Sequence, residues 1–276
     1  MPRLNLQLFI FSLILTVTTV VDCFTNMNTS RKSILNSSNN DSAVEERWFK
    51  YVVVLVATSA GSLKSHSTGL WLEELAAPYY QFLDAGYEII VASPAGGPIP
   101  IDAASLGEGF FTDDAKKFMH DATAVGKLSH SEPIGSVDLK DVDALFMAGG
   151  HGTCTDFINS PDLKKAIETV FNSDGKIVAS VCHGPMCFTD CVKPDGTPLV
   201  SGLKVTGFSN TEEEAVGLQS TVPFLLESKL KELGGLYERG DDWNSKVVID
   251  GELITGQNPQ SSTECAKAII TKLGEQ

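Results

Sequence analysis

The segment Ser180-Val181-Cys182-His183-Gly184-Pro185 holds the residues of this chain best suited to chemistry. A cysteine stands where an apolar, strand-like run ends and a helix-forming stretch opens, with small residues at Ser180 before it and Gly184 after it. This is the pattern of a strand–turn–helix nucleophile elbow. The turn is so tight that its neighbours must be small, and the side chain at its tip is pushed into a cleft. The N–H groups at the start of the following helix favour thiolate over thiol, and a cysteine that titrates near pH 8.5 when free can fall below about 7 there. A thiolate attacks carbonyl carbon, and acyl, thiohemiacetal and enediolate chemistry all place negative charge on an oxygen. Two backbone N–H groups would hold it. One is that of His183. The other is expected from the turn Gly149-Gly150-His151-Gly152-Thr153, at Gly150, because glycine lets its N–H swing toward the site. His151 is expected to line the pocket from the same turn.

Both turns need elements to present them. Residues 51–57 are a continuous apolar, β-branched run that reads as a strand buried on both faces. Further strands are expected at 88–92, at 143–147 leading into Gly149, and at 176–181 leading into Cys182. Helical spacing covers 69–85, and Ser160-Pro161 opens a helix to about residue 172. Another helix is expected at 184–191, then a short strand at 204–206 and a helix near 222–233. Strands at 247–249 and 253–254 and a closing helix over 261–273 complete the pattern. The alternation predicts an α/β fold with a mostly parallel sheet, helices on both faces, and ligands beyond the carboxyl ends of the strands. Residues 96–140 break the rhythm and read as an inserted subregion of short helices over or beside the site. Cys187 and Cys191, one helical turn apart, read as core, and Cys154 as a neighbour of the site. His66, His120 and His130 read as loop or surface residues. Without Cys-x₂-Cys pairs, no metal cluster is expected.

Composition narrows the class. With 276 residues, 42% hydrophobic and 20% charged, the chain is globular rather than disordered or fibrous. A net charge of −14 argues against nucleic acid as the main partner. Six cysteines are too few for a disulfide scaffold. Residues 6–21, almost wholly apolar or threonine after Arg3, are shorter than the roughly 20 a membrane span needs but suit a signal-peptide core. Residues 1–23 are therefore expected to be a signal peptide directing the chain to the secretory pathway. Val21 and Cys23 fit the cleavage positions poorly, so a signal anchor is the alternative, and membrane attachment is expected only in that case. Residues 24–45 read as a flexible linker. It carries glycosylation sequons at Asn28, Asn36 and Asn40, and none follows Ser42. The folded domain is expected over 46–276. It holds the acidity, since residues 43–276 carry 18 basic and 33 acidic residues.

Taken together, Gly149-Gly-His-Gly-Thr153, Val181-Cys-His-Gly-Pro185, Lys204-Val-Thr-Gly-Phe208 and Ile254-Thr-Gly-Gln-Asn-Pro259 resemble the PfpI-like proteins of the class I glutamine amidotransferase-like superfamily. Thr68-Gly-Leu-Trp-Leu-Glu-Glu74 and the 96–140 insertion are similar to the heat-shock, glyoxalase III branch. The resemblance spans roughly residues 50–273. It implies a flavodoxin-like three-layer sandwich and a triad of Cys182, His183 and an acid shortly after Gly207-Phe208, matched to Glu213. It also implies that Glu74 lies against the sulfur and exchanges protons, which requires a buried, partly protonated carboxyl. Glu73 is then expected at the surface.

The activity implied is conversion of a 2-oxoaldehyde such as methylglyoxal to lactate through a Cys182 hemithioacetal, with no metal, nucleotide or glutathione. The family also implies a homodimer, of which the sequence has no sign of its own. A glutamine amidotransferase would draw its His and Glu from a downstream His-x-Glu, and no histidine follows His183. A deglycase or cysteine peptidase would share the triad, and a holdase chaperone is the reading without an enzyme.

Overall fold

The run at 51–57 forms β1 (Val52–Val56), buried at every position. Its parallel neighbours are β2 (Glu88–Ser93) on one side and β4 (Ala144–Met147) on the other, and β3 (Glu132–Pro133) pairs with β2 at the edge. Beyond β4 lie β5 (Ile177–Val181), β7 (Leu253–Gly256) and β6 (Val247–Asp250). The order across the sheet is β6-β7-β5-β4-β1-β2-β3, and only the β6–β7 pair is antiparallel. β1, β4, β5 and β7 are buried on both faces or nearly so, which is why they read as unbroken apolar runs. This is the computed structural model of the chain, and it describes residues 51–275. The expected leader at 1–23 and linker at 24–45 lie outside the described residues. Among the described residues no helix is long and apolar enough to cross a membrane.

Strand order fixes where the helices go. From β1 through α1 (Glu73–Asp84) to β2 the chain moves one way across the sheet. From β4 through α4 (Pro161–Phe171) to β5 it moves the other way. Right-handed crossovers then place α1 and α4 on opposite faces. The direction reverses between β1 and β4, and a crevice opens there beyond the carboxyl ends of the strands. The insertion supplies α2 (Asp113–His120) and α3 (Ala122–Ser129). Downstream come α5 (Asn210–Ala215), α6 (Leu226–Glu232) and α7 (Ser262–Gly274), which packs against α1.

Two expected helices are shorter than their sequence spacing suggests. At 69–85 the helix begins only at Glu73. Leu70 instead bridges to Ile101, its N–H donating to Pro100 O at 2.8 Å and its carbonyl accepting from Asp102 N–H at 2.9 Å. At 184–191 only a 3₁₀ turn, Gly184–Phe188, forms. Cys191 N–H reaches back to Phe188 O, and Leu199 N–H then takes the Cys191 carbonyl, which draws the chain off the helical path. α5 was not expected. Its start is a capping box in which Ser209 and Glu212 satisfy each other's backbone N–H groups.

The elbow depends on small residues, as its sequence implied. A Cβ on Gly184 would stand 2.3 Å from Ser180 Oγ and 2.4 Å from the Met147 carbonyl, which is backbone and cannot move aside. Gly184→Ala is therefore expected to cost about 1–3 kcal/mol through overpacking, read as a lower urea midpoint at an unchanged slope. An unchanged midpoint would contradict this account of the turn.

Candidate active site

Cys182 directly follows β5 with φ of 58°, in the left-handed region that a residue with a Cβ rarely occupies. Its N–H donates to Gly256 O at 3.0 Å, and its carbonyl accepts from Phe208 N–H at 2.8 Å. Two neighbouring segments thus hold a strained residue so that its side chain faces the crevice. Sγ lies 3.4 Å from His183 Nδ1. On the other side of the ring, His183 Nε2 is 2.6 Å from Glu213 Oε2, and the second oxygen of Glu213 is 2.9 Å from His151 Nε2.

The charges in this chain can be assigned. Burial alone would raise the Glu213 carboxyl, but the two histidine rings more than offset it and hold the group well below the usual carboxylate range. Glu213 is therefore an acceptor at both oxygens, so His183 and His151 each donate from Nε2–H. Burial, and then the nearby His151 ring, lower the pKa of His183. It is neutral at neutral pH, and its Nδ1 lone pair is free to take the thiol proton.

Glu74 enters from the first turn of α1 and is fully buried. Its Oε2 accepts the Gly149 N–H at 2.7 Å, while Oε1 has no nitrogen or oxygen partner, and the carboxyl interacts with the Cys182 thiol. Burial pushes its pKa up to about 8, against the lowering effect of those two contacts. It is thus predominantly protonated at neutral pH.

The thiol departs from expectation. The elbow pattern suggested a lowered pKa, but burial, and then the Glu74 carboxylate, raise that of Cys182. A five-residue 3₁₀ turn has little dipole to set against burial. When Glu74 carries its proton the second cause disappears. Its O–H and the His183 N–H, which already acts on the sulfur, then favour thiolate.

The glycine turn owes its composition to crowding. A Cβ on Gly149 would lie 2.7 Å from both Glu74 Oε2 and His183 N, so glycine alone lets these groups converge. Gly150 has φ of 98°, and a Cβ there would stand 2.3 Å from Gly69 O. Among the described residues its N–H has no backbone acceptor, and Gly150 lines the same cavity as Cys182, His183 and His151. That cavity measures about 390 Å³.

All six residues singled out from the sequence, Cys182, His183, Glu213, Glu74, Gly150 and His151, meet at this crevice. Cys154, Cys187 and Cys191 are buried, and His66, His120 and His130 are exposed. One expected position changes. Glu73 is half-buried rather than at the surface: it accepts a hydrogen bond from Thr112 Oγ1 of the insertion, and burial pushes its pKa to about 7. No metal cluster was expected, yet His151, His183 and Glu213 offer three ligand atoms within 4.8 Å of one another. Each nitrogen is already matched to one Glu213 oxygen by a hydrogen bond.

Sequence reasoning also passed over Glu212. It is buried, and its carboxylate accepts from Ser209, Gln257 Nε2, Asn258 Nδ2 and the Trp243 N–H. It thereby ties α5 to the loop that carries Trp243. Aromatic walls from Trp71, Phe110, Phe208 and Trp243 were likewise not singled out. Trp71 and Phe208 lay within the quoted motifs, but Phe110 and Trp243 carry no local signal.

A cysteine on a strained elbow, a buried neutral histidine and an acid from a separate helix, set at the switch point of a parallel sheet, define an α/β protein built around a thiol nucleophile. Residues 68–272 match the model of the DJ-1/PfpI family, and the chain belongs to that family. It is 31% identical over 211 residues to glyoxalase 3 of Candida albicans, covering 74% of this chain and 89% of that one. It is 29% identical over 214 residues to a glutathione-independent glyoxalase of Saccharomyces cerevisiae, covering 75% and 90%. The crystal structure of glyoxalase III from Candida albicans superposes with a TM-score of 0.74 at 30% identity, over 81% of this chain and 97% of that one.

The raised pKa of Glu74 has a consequence for stability. A group whose pKa rises on folding, here from 4.5 to about 8, contributes its full share below pH 4.5, and the contribution is lost as pH climbs through 8. The melting temperature of the wild type is expected to fall from pH 5 to pH 9 more steeply than that of Glu74→Gln. Parallel decline in the two proteins would contradict the assignment.

Proposed function

We propose that the protein is a glutathione-independent glyoxalase that converts methylglyoxal and related 2-oxoaldehydes to 2-hydroxy acids, lactate in the case of methylglyoxal. The observation that carries this reading is the pairing of a neutral base, His183, with a protonated acid, Glu74, on one buried sulfur. Environments that push two titratable groups apart in this way assign the acid and the base. The names and structural likeness of the relatives at about 30% identity support the same reading.

His183 Nδ1 takes the thiol proton as Sγ adds to the aldehyde carbon, and the new alkoxide lies against the N–H of Gly150. The alkoxide recovers that proton from His183, which completes the hemithioacetal. His183 then removes the hydrogen of the former aldehyde carbon while Glu74 protonates the neighbouring carbonyl oxygen, giving an enediol. His183 returns its proton to the second carbon, and Glu74 regains one from the first hydroxyl. The product is a thioester of Cys182. Water, deprotonated by His183, cleaves it to release the 2-hydroxy acid and the thiol. The sequence adds one water, changes no net oxidation state, and so calls for no cofactor.

Glu213 keeps His183 in the tautomer with Nδ1 free, and His151 shares that carboxylate. The apolar sequence at 6–21 and the sequons at Asn28, Asn36 and Asn40 support export or signal anchoring of this activity. The family supports a homodimer.

The test is to follow methylglyoxal loss and lactate gain with purified, reduced protein in the absence of glutathione and metal. Turnover is expected, and Cys182→Ser and Glu74→Gln are expected to abolish it. Glu213→Gln is expected to lower kcat by about 10²–10⁴-fold with little change in KM. Loss of methylglyoxal without lactate would mean thiol adduct formation only. No turnover by a Cys182 that still reacts with alkylating agents would overturn the reading in favour of a deglycase, a peptidase or a chaperone.

A further inference from the structure

Methylglyoxal uses little of the cavity. It has five non-hydrogen atoms, and with a water taking roughly 30 Å³ of liquid it fills on the order of 100 Å³. The cavity measures about 390 Å³. The unused space is bounded by two aromatic pairs. Trp71 meets Phe110 edge to face, with centroids 5.2 Å apart, and Phe208 meets Trp243 at 5.9 Å. Two of these wall residues, and Val216 which lines the cavity beside them, leave apolar surface in solvent: Phe110 is 46% exposed, Val216 43% and Trp243 39%. Apolar groups gathered at the mouth of a reactive pocket mark a surface that a ligand covers.

The wall is also held in place. Trp243 has φ of 60°, which is strained for a bulky residue, and its N–H is fixed by the buried Glu212 carboxylate at 2.9 Å. The charge around the cavity is one-sided. No Lys or Arg is among the described residues that line it, while Glu213 stands behind the two histidines and Glu212 behind Trp243. A substrate bearing a carboxylate would lose its hydration without gaining a partner and would face like charge.

We infer that the preferred substrates of this site are uncharged 2-oxoaldehydes whose methyl is replaced by a bulky apolar group, above all an aryl ring. The inference rests on the glyoxalase reading and names its substrate class. The chemistry is the same and balances in the same way. The aryl 2-oxoaldehyde takes up one water, its aldehyde carbon becomes the carboxylate through the Cys182 thioester, and its ketone carbon gains one hydrogen to become the carbinol. The ring rests between the aromatic pairs while the two carbonyls reach Cys182.

The full protein is assayed with methylglyoxal and phenylglyoxal side by side, with lactate and mandelate measured as products. The value of kcat/KM is expected to be at least about tenfold higher for phenylglyoxal, and a carboxyl at the ring's 4-position is expected to remove about tenfold. An aryl group also makes the aldehyde more electrophilic, so the pocket's share is read from variants. Trp243→Ala and Phe110→Ala are expected to lower the ratio of the two kcat/KM values by about fivefold or more.

Turnover of methylglyoxal with equal or lower kcat/KM for phenylglyoxal would overturn the inference and leave the glyoxalase reading standing. So would a preference that persists undiminished in both variants. Failure to turn over either substrate would overturn the glyoxalase reading and the inference with it. Mandelate formation without lactate formation would support the inference and overturn only the methylglyoxal part of the glyoxalase reading.

Discussion

A carboxyl group buried against a sulfur is the constraint on which the site depends. Glu74 cannot be solvated, and one oxygen has only the Gly149 N–H while the other has no conventional partner. Its cheapest state is the protonated one, and that state turns a repulsive neighbour of the Cys182 thiolate into a hydrogen-bond donor. The opposite arrangement holds at Glu213. Two histidines donate to it, so burial fails to protonate it, and it stays charged. Two carboxyls at one site are thereby set to different tasks by what surrounds them, one to carry a proton and the other to orient a base.

This arrangement asks a great deal of the backbone. Glu74 comes from α1, the glycine turn from the end of β4, the nucleophile from the end of β5 and Glu213 from α5. They converge because the sheet reverses its winding between β1 and β4 and opens a crevice there. At the point of closest approach there is no room for a Cβ at Gly149, Gly150 or Gly184. The strained Cys182 is held by hydrogen bonds to Gly256 and Phe208, each of which belongs to one of the sequence motifs. Those motifs therefore act through the elbow's geometry, apart from any contact with substrate.

Much of the fold was legible because buried parallel strands announce themselves as apolar runs, and 51–57, 143–147 and 176–181 all became strands with ends trimmed by a residue or two. Cys182, His183 and Gly150 were legible from local pattern, since an elbow and a glycine turn are short-range features. Glu74 and Glu213 were reached only through the resemblance, because nothing local says that a carboxylate far along the chain will face a sulfur. Glu212 was hidden for a related reason. Three consecutive glutamates look solvated, and the donors that bury this one come from Trp243, Gln257 and Asn258. The helix after the elbow was overread, because apolar spacing over 184–191 does not reveal the turn that Leu199 imposes on Cys191. The thiol was misjudged with it, as the expected helix dipole was the argument for a low pKa.

The protonation of Glu74 at neutral pH can be observed directly by infrared difference spectroscopy between wild type and Glu74→Gln. The account predicts a protonated carboxyl band in the wild type at pH 7 that is missing in the variant and fades as pH rises through about 8. Identical carboxyl regions in the two proteins at pH 7 would contradict it, because an ionised Glu74 beside Cys182 would oppose the thiolate that the chemistry requires.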